Sequence, residues 1–200
     1  MKGAVREKKE GKKQARWLRF RHRVVRHLAY AVLYPYSRLV YRIRIERCKD
    51  KRQFLILYNH QTPFDQFFVG IAFRRPVYYL ATEDIFSLGW LSSIIRFLVA
   101  PIPIKKQTTD VRAILNCIKV AREGGSICIA PEGNRTYSGE TAYFKESIVG
   151  LARALKLPIA ICKIEGGYGV QPRWSDVVRG GGMRAYVHKV IEPEEYIDIS

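Results

Sequence analysis

Asn59-His60-Gln61-Thr62-Pro63-Phe64-Asp65 holds an imidazole and a carboxylate within one short stretch. A neutral imidazole can take the proton of an alcohol. A carboxylate on its other ring nitrogen fixes the tautomer and stabilises the imidazolium that forms. The two positions do not share a helix face, so a strand–turn–helix path has to fold the carboxylate back onto the ring. No serine or cysteine stands beside them as an enzyme nucleophile, and the pair suits activation of a substrate hydroxyl. Thr62-Pro63-Phe64-Asp65 also reads as a capping-box-like helix start, with Asp65 favoured by the helix dipole. Capping accounts for Asp65 but not for His60 beside Asn59.

A second stretch, Ala130-Pro131-Glu132-Gly133-Asn134-Arg135-Thr136, brings a carboxylate, a glycine and a guanidinium together. Gly133 lets the backbone approach a ligand closely. Arg135 can grip a phosphate with two parallel N–H bonds, and Glu132 can hold a hydroxyl or orient that arginine. Alone, the stretch reads better as a polar turn with a local Glu–Arg pair.

Both stretches follow predicted strands. Phe54–Tyr58 is a short, fully apolar run ahead of the first, and Ser126–Ala130 precedes the second. Further strands are predicted at Pro76–Ala81, Ala100–Ile104, Leu157–Ile164 and Met183–Val190. Helices are predicted over 63–73, 110–123 and 145–156, with Gly124-Gly125 stopping the second. Alternating strands and helices indicate an α/β class, in which ligands gather outside the carboxyl ends of the strands. The expected architecture is a single domain with a mixed sheet flanked by helices, over residues 51–200. Residues 85–100 are apolar, and the run 85–104 is a candidate wall for an apolar groove.

Charge is distributed unevenly. Of the 35 Lys and Arg and 18 Asp and Glu, residues 1–52 hold 18 basic and 4 acidic side chains, whereas the remaining residues are close to neutral. Residues 1–15 read as a basic flexible tail. Residues 16–50 read as amphipathic membrane-docking helices, broken near Pro35. Trp17, Phe20, Val24, His27, Leu28 and Ala31 recur at helical spacing, with Arg16, Arg19, Arg23 and Arg26 on the remaining surface. Such an element lies in a lipid headgroup layer. No signal peptide and no uncharged run long enough for a spanning helix is visible. Cys48, Cys117, Cys128 and Cys162 lack metal-ligand spacing and read as buried thiols. A basic arm also suits nucleic acid, but the body carries no RNA- or DNA-binding motif, and no nucleic acid partner is expected.

Taken together, NHxxxxD at His60 and Asp65 and PEGxR at Glu132, Gly133 and Arg135 resemble signature blocks of the 1-acylglycerol-3-phosphate (lysophosphatidic acid) acyltransferases. The resemblance covers roughly residues 50–170. It implies His60 and Asp65 as the catalytic dyad and Glu132, Gly133 and Arg135 as acceptor-binding residues. Asn134 replaces the usual threonine. The family's second block is matched only by Ala100–Lys106, so Lys105 or Lys106 would supply its charge towards phosphate. Asn59 joins the expected substrate-binding set, and the fourth block corresponds to Leu157–Ile161.

The reaction so implied moves an acyl group from acyl-CoA or acyl carrier protein to a lysophospholipid hydroxyl. It needs no metal and no cofactor beyond the donor. His60 would be the base, and amides near residues 61–65 would stabilise the oxyanion. The expected location is the cytoplasmic face of the cell membrane, monotopic or peripheral, on an anionic surface.

Overall fold

The computed structural model describes residues 17–82, 97, 99–104, 110–144 and 146–198. The predicted tail at 1–15, Lys105, Lys106 and most of the apolar run 85–100 lie outside them.

Helix α1 spans Phe20–Val40 and leads into strand β1, Ile43–Ile45. Then come β2 (Leu55–Tyr58), α2 (Asp65–Ala72), β3 (Val77–Thr82) and β4 (Ile102–Ile104). Helix α3 (Val111–Arg122), β5 (Ser126–Ile129) and α4 (Ser147–Leu155) follow. Strand β6 (Ile159–Glu165), the single turn α5 (Gly167–Val170) and β7 (Met183–Ile191) complete the order.

The strands form one sheet in the order β1-β7-β6-β2-β5-β3-β4. All neighbours are parallel except β6 and β7. Strands β1 and β7 therefore run against the rest, and their amino ends share an edge with the carboxyl ends of β6, β2, β5, β3 and β4. Central β2 is buried along its whole length, which is why its sequence is an unbroken apolar run rather than an alternating one. Its side chains still alternate. Ile56 and Tyr58 join the core beneath α2, whereas Leu55 and Leu57 join the core beneath α3 and α4. The Asp110 carboxylate caps α3 by accepting the Ala113 N–H at 3.1 Å.

The N-terminal region departs from its sequence reading in three ways. The sheet takes its first strand from inside the stretch read as docking helices, with Ile43 fully buried against β7. Helix α1 runs unbroken through Pro35. Pro35 and Ala31, whose carbonyl loses its partner, are both exposed, so the missing bond falls on the solvent side of the helix. Finally, Trp17, read as part of the apolar docking face, turns to the protein body, as does His22. His22 is only 7% exposed, with Nδ1 2.9 Å from the Tyr78 hydroxyl. Trp17 donates its backbone N–H to Glu123 and its indole N–H to the Ala100 carbonyl. Phe20, Val24, Leu28, Val32, Tyr36 and Leu39 instead form an exposed stripe along α1, with Phe20 and Leu39 at 80% and 79%.

Candidate active site

Strand β2 ends at Tyr58, and the chain turns sharply through residues 59–64 before α2 starts at Asp65. That turn is built around one carboxylate. Asp65 is fully buried. Its Oδ2 accepts the backbone N–H groups of Gln61 and Thr62, the latter at 2.7 Å, and its Oδ1 accepts the Thr62 hydroxyl at 2.6 Å. The same Oδ2 lies 3.0 Å from His60 Nδ1. An ionised carboxylate only accepts hydrogen bonds, so Nδ1 carries the proton and Nε2 holds the free lone pair. The imidazole is 20% exposed, and Nε2 has no protein partner among the described residues. Beneath the ring, Tyr58 packs edge-on with centroids 5.8 Å apart. Burial drives the Tyr58 phenol well above its ordinary pKa, keeping it neutral.

Asp65 therefore does not cap α2. It turns back to the segment before the helix and holds both that turn and the His60 tautomer. The arrangement narrows the expected oxyanion site at 61–65. The Gln61 and Thr62 amides are spent on Asp65, Pro63 has none, and the Phe64 N–H reaches the Thr62 hydroxyl at 3.3 Å, which leaves the Asp65 amide of that range.

The PEGxR stretch meets this turn directly. Glu132 follows β5 and is nearly buried. One of its oxygens accepts the His60 backbone N–H at 2.8 Å, and the other accepts the Ala142 N–H at 3.0 Å. Thr136 N–H donates to the His60 carbonyl at 2.9 Å. Gly133 makes the bend with φ +74°, in the left-handed region where a side chain is strained. No local Glu–Arg pair forms. The half-buried Arg135 has no carboxylate partner among the described residues, and its guanidinium remains available to an anion. Arg173 donates to the Arg135 carbonyl at 3.0 Å and stacks 4.3 Å over the Tyr137 ring, bracing the loop.

Asn59 has a different place from the one expected. Its side-chain amide donates to the Ile164 carbonyl at 2.9 Å and accepts the Ile164 N–H at 2.7 Å. Its oxygen and one of its two amide N–H bonds are used in clasping β2 to β6, so Asn59 positions the turn. Lys105 and Lys106 fall outside the described residues. Ile104, just before them, ends β4 at the same sheet edge.

Sequence reading missed three contributors. Gln61 donates to the Gly139 carbonyl and accepts the Tyr168 N–H, tying the site to one loop and to the turn α5. Thr62 bonds Asp65 through both its amide and its hydroxyl, and Arg173 arrives from a distant loop. The first two lie inside the recognised block and were legible as polar residues in a turn; Arg173 carried no local signal.

The four cysteines are buried and free. Burial raises every one of their thiol pKa values, that of Cys117 up to about 12, so none supplies a thiolate near neutral pH. Among the described residues, no serine or cysteine bonds the His60 ring. The arrangement is a partly buried, pre-oriented imidazole with an open nitrogen, and an arginine without a carboxylate partner among the described residues on the adjoining loop.

Known proteins share this framework. The chain is 22% identical over 183 residues to a chloroplastic 1-acyl-sn-glycerol-3-phosphate acyltransferase of Arabidopsis thaliana, covering 86% of this chain and 49% of that protein. It is 24% identical over 148 residues to a 1-acyl-sn-glycerol-3-phosphate acyltransferase of Borreliella burgdorferi, covering 72% and 57%. It thus spans about half the length of the curated relatives it matches. The crystal structure of the 1-acyl-sn-glycerophosphate acyltransferase from Thermotoga maritima superposes with a TM-score of 0.63 at 22% identity, covering 84% of this chain and 73% of that one. Residues 40–165, which contain both halves of the site, match the family model described as Acyltransferase, and the chain belongs to that family.

Proposed function

We propose that this protein transfers a fatty acyl group from a thioester donor, acyl-CoA or acyl carrier protein, to the free hydroxyl of 1-acylglycerol-3-phosphate, giving phosphatidic acid. The observation that carries the reading is the His60–Asp65 pair, with Nδ1 held at 3.0 Å and Nε2 open. His60 Nε2 takes the acceptor's hydroxyl proton as that oxygen attacks the thioester carbonyl. The new C–O bond forms, the C–S bond breaks, and the imidazolium returns its proton to the departing thiolate. Asp65 keeps the ring oriented and balances its transient charge. Attack is direct, because no enzyme nucleophile adjoins the ring.

Arg135 binds the acceptor phosphate, with Lys105 or Lys106 as its second cation. Glu132 and Gly133 contribute by holding the loop that presents Arg135. A cavity of about 310 Å³ between α1, α2 and β3 takes the acyl chain. Leu33, Phe67, Phe73 and Tyr79 line it, together with Val99 from the apolar run. Its size is at the lower end for small-molecule sites, as suits a narrow chain.

Helix α1 lays its exposed stripe into the headgroup layer of an anionic membrane, on the cytoplasmic face, as a monotopic or peripheral attachment. Among the described residues, no helix is long and apolar enough to cross a membrane. The test is to supply donor thioester and 1-acylglycerol-3-phosphate on anionic vesicles and follow phosphatidic acid. Product formation supports the reading. Bound protein that makes none from either donor contradicts it.

A further inference from the structure

The carboxyl-end edge of the sheet carries a second cationic feature, on the far side of β6 from His60. A cavity of about 480 Å³ is lined by Arg38, Arg42, Arg44 and Arg184, together with Glu165, Gly166, Gly182 and Met183. Four arginines share this lining with one carboxylate, Glu165, which is already 2.9 Å from the Lys163 ammonium; Arg38 donates to the Ile43 carbonyl at 3.1 Å. Arg184 pairs with Glu46 at 2.6 Å. Arg38, Arg42 and Arg44 have no carboxylate partner among the described residues.

Two details show the fold accepting a cost to gather these charges. Arg44 and Arg184 are register partners on β1 and β7, and like charges side by side on a sheet repel. Arg42, just past the end of α1, has φ +49°, a left-handed conformation that glycine or asparagine usually supplies at a helix terminus. Gly166 and Gly182 complete the lining. A Cβ on Gly166, at φ +78°, would stand 2.3 Å from the Gly182 carbonyl oxygen, so the two backbones pack against each other there, whereas a Cβ on Gly182 would meet nothing within 4 Å, which leaves main chain open at that position.

The geometry points to a binding site for the phosphate head group of an anionic bilayer lipid, separate from the acceptor site at Arg135. Arginine-lined, glycine-floored cavities match phosphate oxygens. The lining contains no aromatic ring on which a nucleoside base would stack. The cavity also adjoins the last turn of α1, where Leu39 and Val40 end the exposed apolar stripe. A ligand with its phosphate among the arginines and its chains beside Leu39 satisfies both surfaces. This inference rests on the membrane docking of α1 proposed above. It adds to it a discrete head-group site in place of diffuse attraction.

Flotation with vesicles of phosphatidylcholine alone, and of phosphatidylcholine mixed with phosphatidylglycerol, tests it. The double variant Arg42→Gln/Arg44→Gln should lose roughly three-hundredfold or more in its preference for the phosphatidylglycerol vesicles, with its melting temperature kept. Arg19→Gln/Arg23→Gln, the same charge removed from exposed positions at the other end of α1, should lose only the roughly thirtyfold expected of two charges near an anionic surface. Equal losses in the two variants mean diffuse electrostatics and overturn the proposal. An excess of inorganic phosphate at constant ionic strength should shift wild-type binding less than about twofold, because the stripe holds the lipid as well. Release by phosphate alone would assign the cavity to a soluble phosphate and overturn the lipid reading. Wild-type protein that binds both vesicle types equally sinks this site but leaves docking intact; protein that binds neither sinks both.

Discussion

The Glu132 carboxylate accepts the backbone N–H of His60 at 2.8 Å, across 72 positions of sequence. Its second oxygen takes the Ala142 N–H, so one buried side chain locks the turn carrying the base to the loop carrying Arg135. The PEGxR block is thus structural at its glutamate and open to ligand at its arginine. Glu132→Gln replaces one acceptor oxygen with an amide that faces an N–H, donor against donor. The expected loss is about 1–3 kcal/mol of stability, read by denaturant unfolding, together with a fall in kcat. A variant as stable as wild type that raises only the acceptor KM would make Glu132 a ligand-binding residue instead.

Arg135 and Arg173 separate by the same logic. Arg135→Gln removes a charge-assisted phosphate contact, and the acceptor KM should rise roughly ten- to a hundredfold with little change in melting temperature. Arg173→Gln removes only the brace on the Arg135 carbonyl, so its effect on KM should be several times smaller. Steady-state kinetics at varied acceptor concentration distinguishes them, and a larger effect at Arg173 would transfer the phosphate to that residue.

Acid should loosen the contact between α1 and the body. His22 is held below its ordinary pKa of 6.5, first by burial and then by Arg21 and Arg19, and its Nε2 is buried without a partner. The folded protein keeps it neutral. As the pH falls through about 6.5, the unfolded chain takes up a proton that the folded chain refuses, so stability is lost on the acid side and is unaffected above it. Melting temperatures between about pH 8 and pH 5 should fall more steeply for wild type than for His22→Gln. Parallel profiles would remove His22 from this role.

Much of the fold was legible because the sheet's strands are short, apolar and punctuated. Phe54–Tyr58, Ser126–Ala130 and Leu157–Ile164 each carry a run too brief for a helix and too apolar for a loop, and each contributes a strand. Ile43–Ile45 escaped notice because three residues with Arg44 at their centre, flanked by Arg42 and Glu46, are too short to establish a period; only pairing with β7 reveals the strand. His22 escaped because its partner, Tyr78, is 56 positions away. His60 and Asp65 were readable from local spacing. The clasp of Asn59 on Ile164 and the grip of Glu132 on His60 were not, because both are backbone contacts made across neighbouring strand ends. Sequence could name the polar residues at that edge but not divide them into those that meet the substrate and those that hold the others still.

The central claim is that His60, oriented by Asp65, activates the acceptor hydroxyl, and its most direct test compares acyl transfer by wild type and His60→Ala. The assay uses a thioester donor and 1-acylglycerol-3-phosphate on anionic vesicles, with vesicle binding measured alongside. Loss of the imidazole should lower kcat by roughly a thousandfold or more while the protein stays folded and vesicle-bound. Asp65→Asn should follow it down with a loss of similar order. Turnover by His60→Ala within about tenfold of wild type would contradict the assignment, since a general base alone contributes more than that.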